Sequence, residues 1–414
     1  MSEQREVVIV GGGLVGSTLA VALARRGVGA TVLERHAATP ELLRGELVMP
    51  RGVAVLDALG LGDALREVCV ETEGTVLHHP AFPQGSLRVD YDLAPAPLDV
   101  TSWRPRGLCG WRRPLYEALR AAARATEGVE LREGFEVAAV ERRGDRLLLK
   151  DRRQATIAAR LVVAADGAGS LLRRLMGFEP VRAEQRTFIQ GFVGRAPGYA
   201  RRHVHVGVHP VGAAFVFPFP DGHFRSTIEY PESLRCELRA KDALGRHLEV
   251  LREALPGISS ELGGAKIEAL TDIQVQPGQS VELASVVEEG FVLVGDAAGS
   301  LDPFTGFGMA LGLTDAELLA EVVATAGGDY TARSLRKFER ARHAGIAARR
   351  EATDLLAYLF LDKSEGFAEP LARRVGERWS DREWILPMVA AQFAGYDAVV
   401  EPSPGMRLHF LGLL

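Results

Sequence analysis

Lysine is almost missing from this chain: of 49 basic residues only five are lysine, at positions 150, 241, 266, 337 and 363. That bias reflects base composition rather than function. A basic surplus is missing too. The net charge is −5 and the isoelectric point lies near 6.1, which argues against nucleic acid as the main partner. Cysteine is scarce. Cys69, Cys109 and Cys236 are widely spaced and no CxxC occurs, which argues against a disulfide frame or a thiolate metal site and suits a reducing cytoplasm. No uninterrupted apolar run is long enough for a membrane-spanning helix. The first strand starts almost at the N-terminus, so no signal peptide is expected. From Tyr330 to Leu414 there is no internal repeat and no low-complexity tract. A chain of 414 residues, 47% hydrophobic, nevertheless has ample material for two domains or one elaborate one.

What is present is glycine in ordered places. Glu6–Val10 has the β-branched, apolar composition of a buried parallel strand. Gly11-Gly12-Gly13-Leu14-Val15-Gly16 follows, then a helical stretch over Ser17–Arg26, then Ala30–Leu33 ending in Glu34. Strand, glycine turn, helix, strand and acid stand in the order of a dinucleotide-binding unit. Gly11 permits the tight turn, Gly13 admits a pyrophosphate, and Gly16 lets helix and strand pack closely. The helix N-terminus attracts the anion through free N–H groups and the dipole. Glu34, 18 residues after Gly16, is placed to accept from a ribose diol. By itself the unit leaves FAD and NAD(P) both open.

Further along, Arg44 precedes a helix over Gly52–Leu59 and is either a phosphate clamp or a solvated loop arginine. Short strands at Val76–His79 and Leu87–Tyr91 form a first excursion. Arg112 opens a strong helix and is a second arginine with the same two readings. Val129–Leu131, Phe135–Arg142 and Arg146–Lys150 read as a strand ladder. The strand Leu161–Ala165 runs into Asp166-Gly167, where Asp166 either caps the next helix, holds a ribityl hydroxyl, or does both. A second excursion over residues 180–275 alternates like an antiparallel sheet, with a hairpin at Asp221-Gly222. His203, His205 and His209 invite a metal reading, and His203 and His205 share a strand face, but no acidic or cysteine ligand lies at an obvious spacing, so no metal is expected. Residues 234–255 read as one amphipathic helix. A buried strand then ends in Gly295-Asp296, and Asp302-Pro303 and Gly306-Phe307-Gly308-Met309 lead into a helix over Ala310–Ala324.

Four stretches thus stand in fixed order: Gly11-x-Gly13-x-x-Gly16 with Glu34; Arg112-x-x-Leu115; Asp166-Gly167-x-x-Ser170-x-x-Arg173; and Gly295-Asp296-Ala297-Ala298 with Pro303 and Gly306-x-Gly308. Together they resemble the single-component class A FAD-dependent monooxygenases of the p-hydroxybenzoate hydroxylase type. The resemblance implies an α/β fold. A Rossmann-like FAD-binding domain (1–70, 105–180, 280–330) would carry an inserted antiparallel β-sheet substrate domain (71–104, 181–279) and a helical C-terminal segment (331–414). It implies FAD, with Glu34 at the ribose, Arg44 and Arg112 at the pyrophosphate, and Asp296 at the ribityl chain. Asp166 and Gly167 would serve FAD and NAD(P)H. Pro303, Gly306, Phe307, Gly308 and Met309 would lie along the flavin ring. Gly11, Gly13, Leu14, Val15, Gly16, Arg35, Val137 and Gly295 complete the expected cofactor contacts.

The resemblance also implies a reaction. NAD(P)H reduces the flavin, dioxygen adds to form a C4a-hydroperoxide, and one oxygen passes to a hydrophobic small molecule, hydroxylating or epoxidising it. No general base is assigned, although His78, His79, His205, His209 and Tyr230 lie in the cavity-forming stretches. Gly299 departs from the hydroxylase pattern. Gly-Asp-Ala-Ala-Gly with Asp302-Pro303 is similar to the geranylgeranyl-reductase branch, and Pro-x-Thr-Gly-x-Gly-Met is similar to squalene-epoxidase-like enzymes. The alternatives are therefore a reductase or dehydrogenase of a polyprenyl substrate, a halogenase, or a non-redox FAD scaffold. A cytoplasmic monomer or homodimer is expected, with a separate flavin reductase as a further partner to test for.

Overall fold

The structure, a computed structural model, describes residues 3–40, 47–80, 82, 84–96, 105–197, 199–239, 241–258, 267–360, 377 and 385–395. Its first sheet is built from the strands that read as continuous apolar runs. Five run parallel, in the order Phe291–Leu293, Thr156–Ala164, Glu3–Val10, Ala30–Glu34, Val129–Glu133. Val7, Val8 and Ile9 are buried on both faces, as a parallel sheet between helices requires. The expected ladder after Gly128 is divided. Val129–Glu133 takes the sheet edge beside Ala30–Glu34, whereas Val137–Arg143 and Arg146–Asp151 form a hairpin on Thr156–Ala164. Gly134, at φ +73°, turns the chain from one to the other.

The second sheet gathers strands from two separate stretches of sequence. Its order is Glu268–Ala269, Pro180–Arg195, His223–Pro231, Gly212–Pro218, His203–His209, Gly74–His78, Ser86–Asp90, with Gln274–Leu283 also paired to Pro180–Arg195. The pleat sends alternate residues to opposite faces. Val216, Phe224, Ile228 and Tyr230 pack on the helix Ala243–Ala254, while Val204, Val206 and Phe215 join a different core with Phe304 and Phe307. The single helix expected over 234–255 is two pieces, a 3-10 turn at Glu232–Arg239 and the helix Ala243–Ala254. Asp242 causes the break: its side chain accepts from Gly245 N at 2.8 Å, an N-cap that requires non-helical backbone.

The helices Gly308–Ala326, Ala332–Phe360 and Ile385–Phe393 close the described chain. The apolar tail Leu408–Leu414 lies outside the described residues. Among the described residues no helix is long and apolar enough to cross a membrane.

Candidate functional site

The first glycine turn sits at the carboxyl ends of the parallel strands. Gly11 has φ +110°, and a Cβ there would collide with Ala165 O. A Cβ on Gly16 would collide with Gly11 O, so strand and helix touch backbone to backbone. Gly13 is different: the nearest atom to its Cβ position is Tyr116 Cε2 at 3.6 Å, and it lines an open cavity with Gly11, Leu14 and Val15. The helix is Leu14–Ala24, starting inside the turn rather than at Ser17, and no side chain caps it. Its first N–H groups therefore face the cavity unused by side chains.

Glu34 braces this turn. Its Oε2 accepts from Gly12 N and its Oε1 from His36 N, both at 2.8 Å, and it lines the cavity. Arg120 completes the brace, with Nε donating to Gly12 O at 2.8 Å and Nη2 lying 3.3 Å from Glu34 Oε2. Sequence reasoning missed Arg120. The available signal was a charged residue next to Leu119 on the inward side of the helix Arg112–Ala125. Arg112 opens that helix. Its guanidinium lies 4.8 Å from the Tyr116 ring centroid, and its buried Nε has no hydrogen-bond partner among the described residues. Arg35, Arg112 and Val137 all line the cavity. Arg44 lies outside the described residues.

Asp166 caps the helix that follows it. Ser170 Oγ donates to its Oδ1 at 2.6 Å, and Leu171 N and Leu172 N donate to its Oδ2 at 2.8 and 3.1 Å. Asp166 and Gly167 also line the cavity. Arg173 ties this turn to the next, donating to Ala168 O at 2.9 Å and to Ala297 O at 3.1 Å.

The third turn carries Gly295, Asp296, Pro303, Gly306, Gly308 and Met309, all on the cavity wall. The Phe307 side chain instead is buried in the core beneath the second sheet and is not part of the wall. The reason is local: the turn places its glycines outward and its largest apolar side chain inward. The helix here is Gly308–Ala326, two residues longer at its start than expected, and again no side chain caps it. A Cβ on Gly312 would collide with Val15 Cγ2. The two uncapped helices thus pack in contact, and both present N-termini to one cavity.

That cavity has a volume of about 1790 Å³, well above the roughly 300–1,000 Å³ of a single ligand pocket. It continues beneath the second sheet, where Ile189, Val204, Val206, Phe215 and Phe217 form an apolar wall. None of His78, His79, His205, His209 or Tyr230 lines it. Pleat alternation puts His205 on the other face, where its Nδ1 lies 3.0 Å from His78 Nε2 and burial pushes its pKa down to about 3. His203 meets Asp90 at 2.7 Å and His209 meets Glu253 at 2.8 Å. The described residues contain no cluster able to hold a metal ion.

Two carboxyls do face this chamber: Asp302, which the sequence offered only as part of an Asp-Pro motif, and Glu229, which it did not single out. Glu229 on His223–Pro231 and Asp302 before Pro303 both line it. Thr187 Oγ1 donates to Glu229 Oε1 at 2.6 Å, and Phe304 N donates to Asp302 Oδ1 at 3.1 Å. Burial raises both pKa values, and Asp302 raises that of Glu229 further. For Glu229 the only signal in the sequence was a lone acid in an otherwise strand-forming run, Phe224 to Tyr230.

The residues fit FAD. Two uncapped helix N-termini, a buried guanidinium nitrogen awaiting an acceptor, and the open cradle at Gly13 match a diphosphate and a flavin ring that develops negative charge. The remaining volume lies on the apolar side.

The profile of the FAD binding domain family matches residues 4–352. Mouse squalene monooxygenase is 27% identical over 332 residues, covering 77% of this chain and 54% of that protein. The chain spans about half the length of the curated relatives it matches. Among solved structures, a flavoprotein/dehydrogenase from Cytophaga hutchinsonii superposes with a TM-score of 0.81 at 17% identity, over 99% of this chain and 96% of that one. The p-nitrophenol 4-monooxygenase PnpA of Pseudomonas putida DLL-E4 gives 0.77 at 21% identity, over 97% and 100%. At such identities these two likenesses speak for the fold. The match over residues 4–352 decides membership: the chain belongs to the FAD binding domain family, that of the class A FAD-dependent monooxygenases.

Proposed function

We propose that this protein is an FAD-dependent monooxygenase that hydroxylates or epoxidises an apolar small molecule, with NAD(P)H as electron donor and dioxygen as co-substrate. One observation carries the reading: the cavity is continuous from the two uncapped helix N-termini to the apolar chamber beneath the second sheet.

Bound FAD supplies the redox chemistry, accepting electrons and activating dioxygen. The chain's own residues supply the rest. Gly13, Leu14 and Arg112 bind the diphosphate. Glu34, braced by Arg120, receives the ribose with its remaining lone pairs. The N-terminus of Gly308–Ala326 stabilises negative charge at the ring. Ile189, Val206, Phe215 and Phe217 exclude water and hold the substrate's apolar body.

The test is turnover by the purified holoprotein with NADH or NADPH, oxygen, and a panel running from squalene to polycyclic phenols, read by oxygen uptake and product mass. A gain of one oxygen atom is expected. A gain of two hydrogens would instead establish a reductase, and replacement of hydrogen by halogen a halogenase. Flavin that neither nicotinamide bleaches, with or without substrate, would show that a separate reductase is required.

A further inference from the structure

The chamber wall contains an unmatched acceptor. Asp302 is only 4% exposed, and its Oδ2 receives no donor among the described residues. Glu229, 2% exposed, lines the same chamber, close enough for each carboxyl to shift the pKa of the other. The other oxygens are in use: Thr187 Oγ1 donates to Glu229 and Phe304 N donates to Asp302. Two ionised carboxylates in contact and out of water repel strongly, and neither brings a proton for the other to accept. One proton between them removes the repulsion, and carboxylate lone pairs it does not use still lack a donor. The other charges that bear on Asp302 are Arg186, from the strand Pro180–Arg195, and Asp354, from the helix Ala332–Phe360. These pair with each other at 2.7 Å and largely cancel.

We propose that Glu229 and Asp302 hold one proton between them and form the polar anchor of the substrate chamber, accepting a hydrogen bond from a hydroxyl group on an otherwise apolar substrate. The pair carries one negative charge, so it accepts rather than donates. The wall beside it is apolar at Ile189, Val204, Val206 and Phe215. A buried acceptor left without its donor is costly, so such a chamber discriminates against an analogue that lacks the hydroxyl. The substrate class is therefore a phenol or a terpenoid or polyketide alcohol, rather than a bare hydrocarbon. Only the word substrate rests on the monooxygenase reading; the shared proton does not.

The test uses the FAD-loaded full chain and two readouts besides turnover. Infrared spectroscopy at pH 7 is expected to show a protonated-carboxyl C=O band that shifts in D2O and is lost in Glu229→Gln. Calorimetric binding compares 2-naphthol with 2-methoxynaphthalene, two probes of similar size that differ in the hydroxyl hydrogen. Wild type is expected to prefer the naphthol by about ten-fold or more, the scale of a hydrogen bond to a charged group. The double variant Glu229→Gln/Asp302→Asn is expected to lose that preference. Absence of the band in wild type, or equal wild-type affinity for the two probes, overturns the proposal, and neither result depends on a variant folding. If band and preference persist but no substrate gains oxygen, the anchor stands and the monooxygenase reading fails.

Discussion

Arg342 Nε donates to Asp315 Oδ2 at 2.9 Å, with both side chains 5% exposed. The same oxygen accepts from Gly295 N at 2.8 Å. A residue of the helix Ala332–Phe360 thus holds the turn that carries Asp296, through a carboxylate on the helix after that turn. Arg342 also reaches Gly295 O at 3.4 Å and Gly299 O at 3.3 Å.

Removing one member of such a pair strands a buried charge. Arg342→Met is expected to destabilise the protein by about 3–5 kcal/mol and to lower the FAD bound per chain, measured by urea unfolding and flavin absorbance. Arg342→Met/Asp315→Leu is expected to recover part of the stability, because no charge is then left unpaired.

The two turn glycines separate folding from binding. Gly16→Ala drives a methyl into Gly11 O and is expected to destabilise the fold itself, by at least about 1–3 kcal/mol. Gly13→Ala meets nothing closer than Tyr116 Cε2 at 3.6 Å, so the apoprotein's melting temperature is expected to hold while its FAD affinity falls. Calorimetry of the apoprotein and FAD titration distinguish the two.

Glu229 couples stability to rising pH. Its folded pKa is raised by burial and by Asp302, so the folded state binds the proton more tightly than the unfolded state. Its contribution is full below the ordinary glutamate range and is lost as pH rises through the folded value. Glu229→Gln is expected to flatten the fall in melting temperature as pH rises above the ordinary glutamate range. An unchanged slope would be the contrary result.

His247 acts in the opposite direction. It is buried between Ser226, whose Oγ lies 2.8 Å from its Nε2, and Gln190, and burial pushes its pKa down to about 3. Its unfolded form charges near pH 6.5, so its contribution is full above that value and is lost as pH falls toward 3. The loss is about 2 kcal/mol at pH 5. His247→Gln is expected to reduce the difference between urea midpoints at pH 8 and pH 5 by a corresponding amount.

What the sequence determined by itself was local. Gly11, Gly13 and Gly16, with Glu34 behind them, are legible because a βαβ unit is one contiguous piece whose turn demands glycine at fixed intervals. Asp166-Gly167 and Gly295-Asp296 are legible for the same reason, and their order along the chain named the cofactor family. What only the tertiary structure decided depends on which way a side chain points and what stands opposite. Arg120 is an ordinary helical arginine until Glu34 and Gly12 O are placed beside it. Arg342 lies 27 residues beyond Asp315 and on a different helix. Phe307 sits among cavity residues in sequence, yet packing takes it into the core. His205 and Glu229 both lie on strands of the second sheet, and the pleat sends one away from the chamber and the other into it. That parity follows from strand register, and Glu229 meets Asp302 only because His223–Pro231 and the turn before Gly308 fold onto one cavity. Contacts between residues far apart in the chain are fixed by packing, and local pattern carries no record of them.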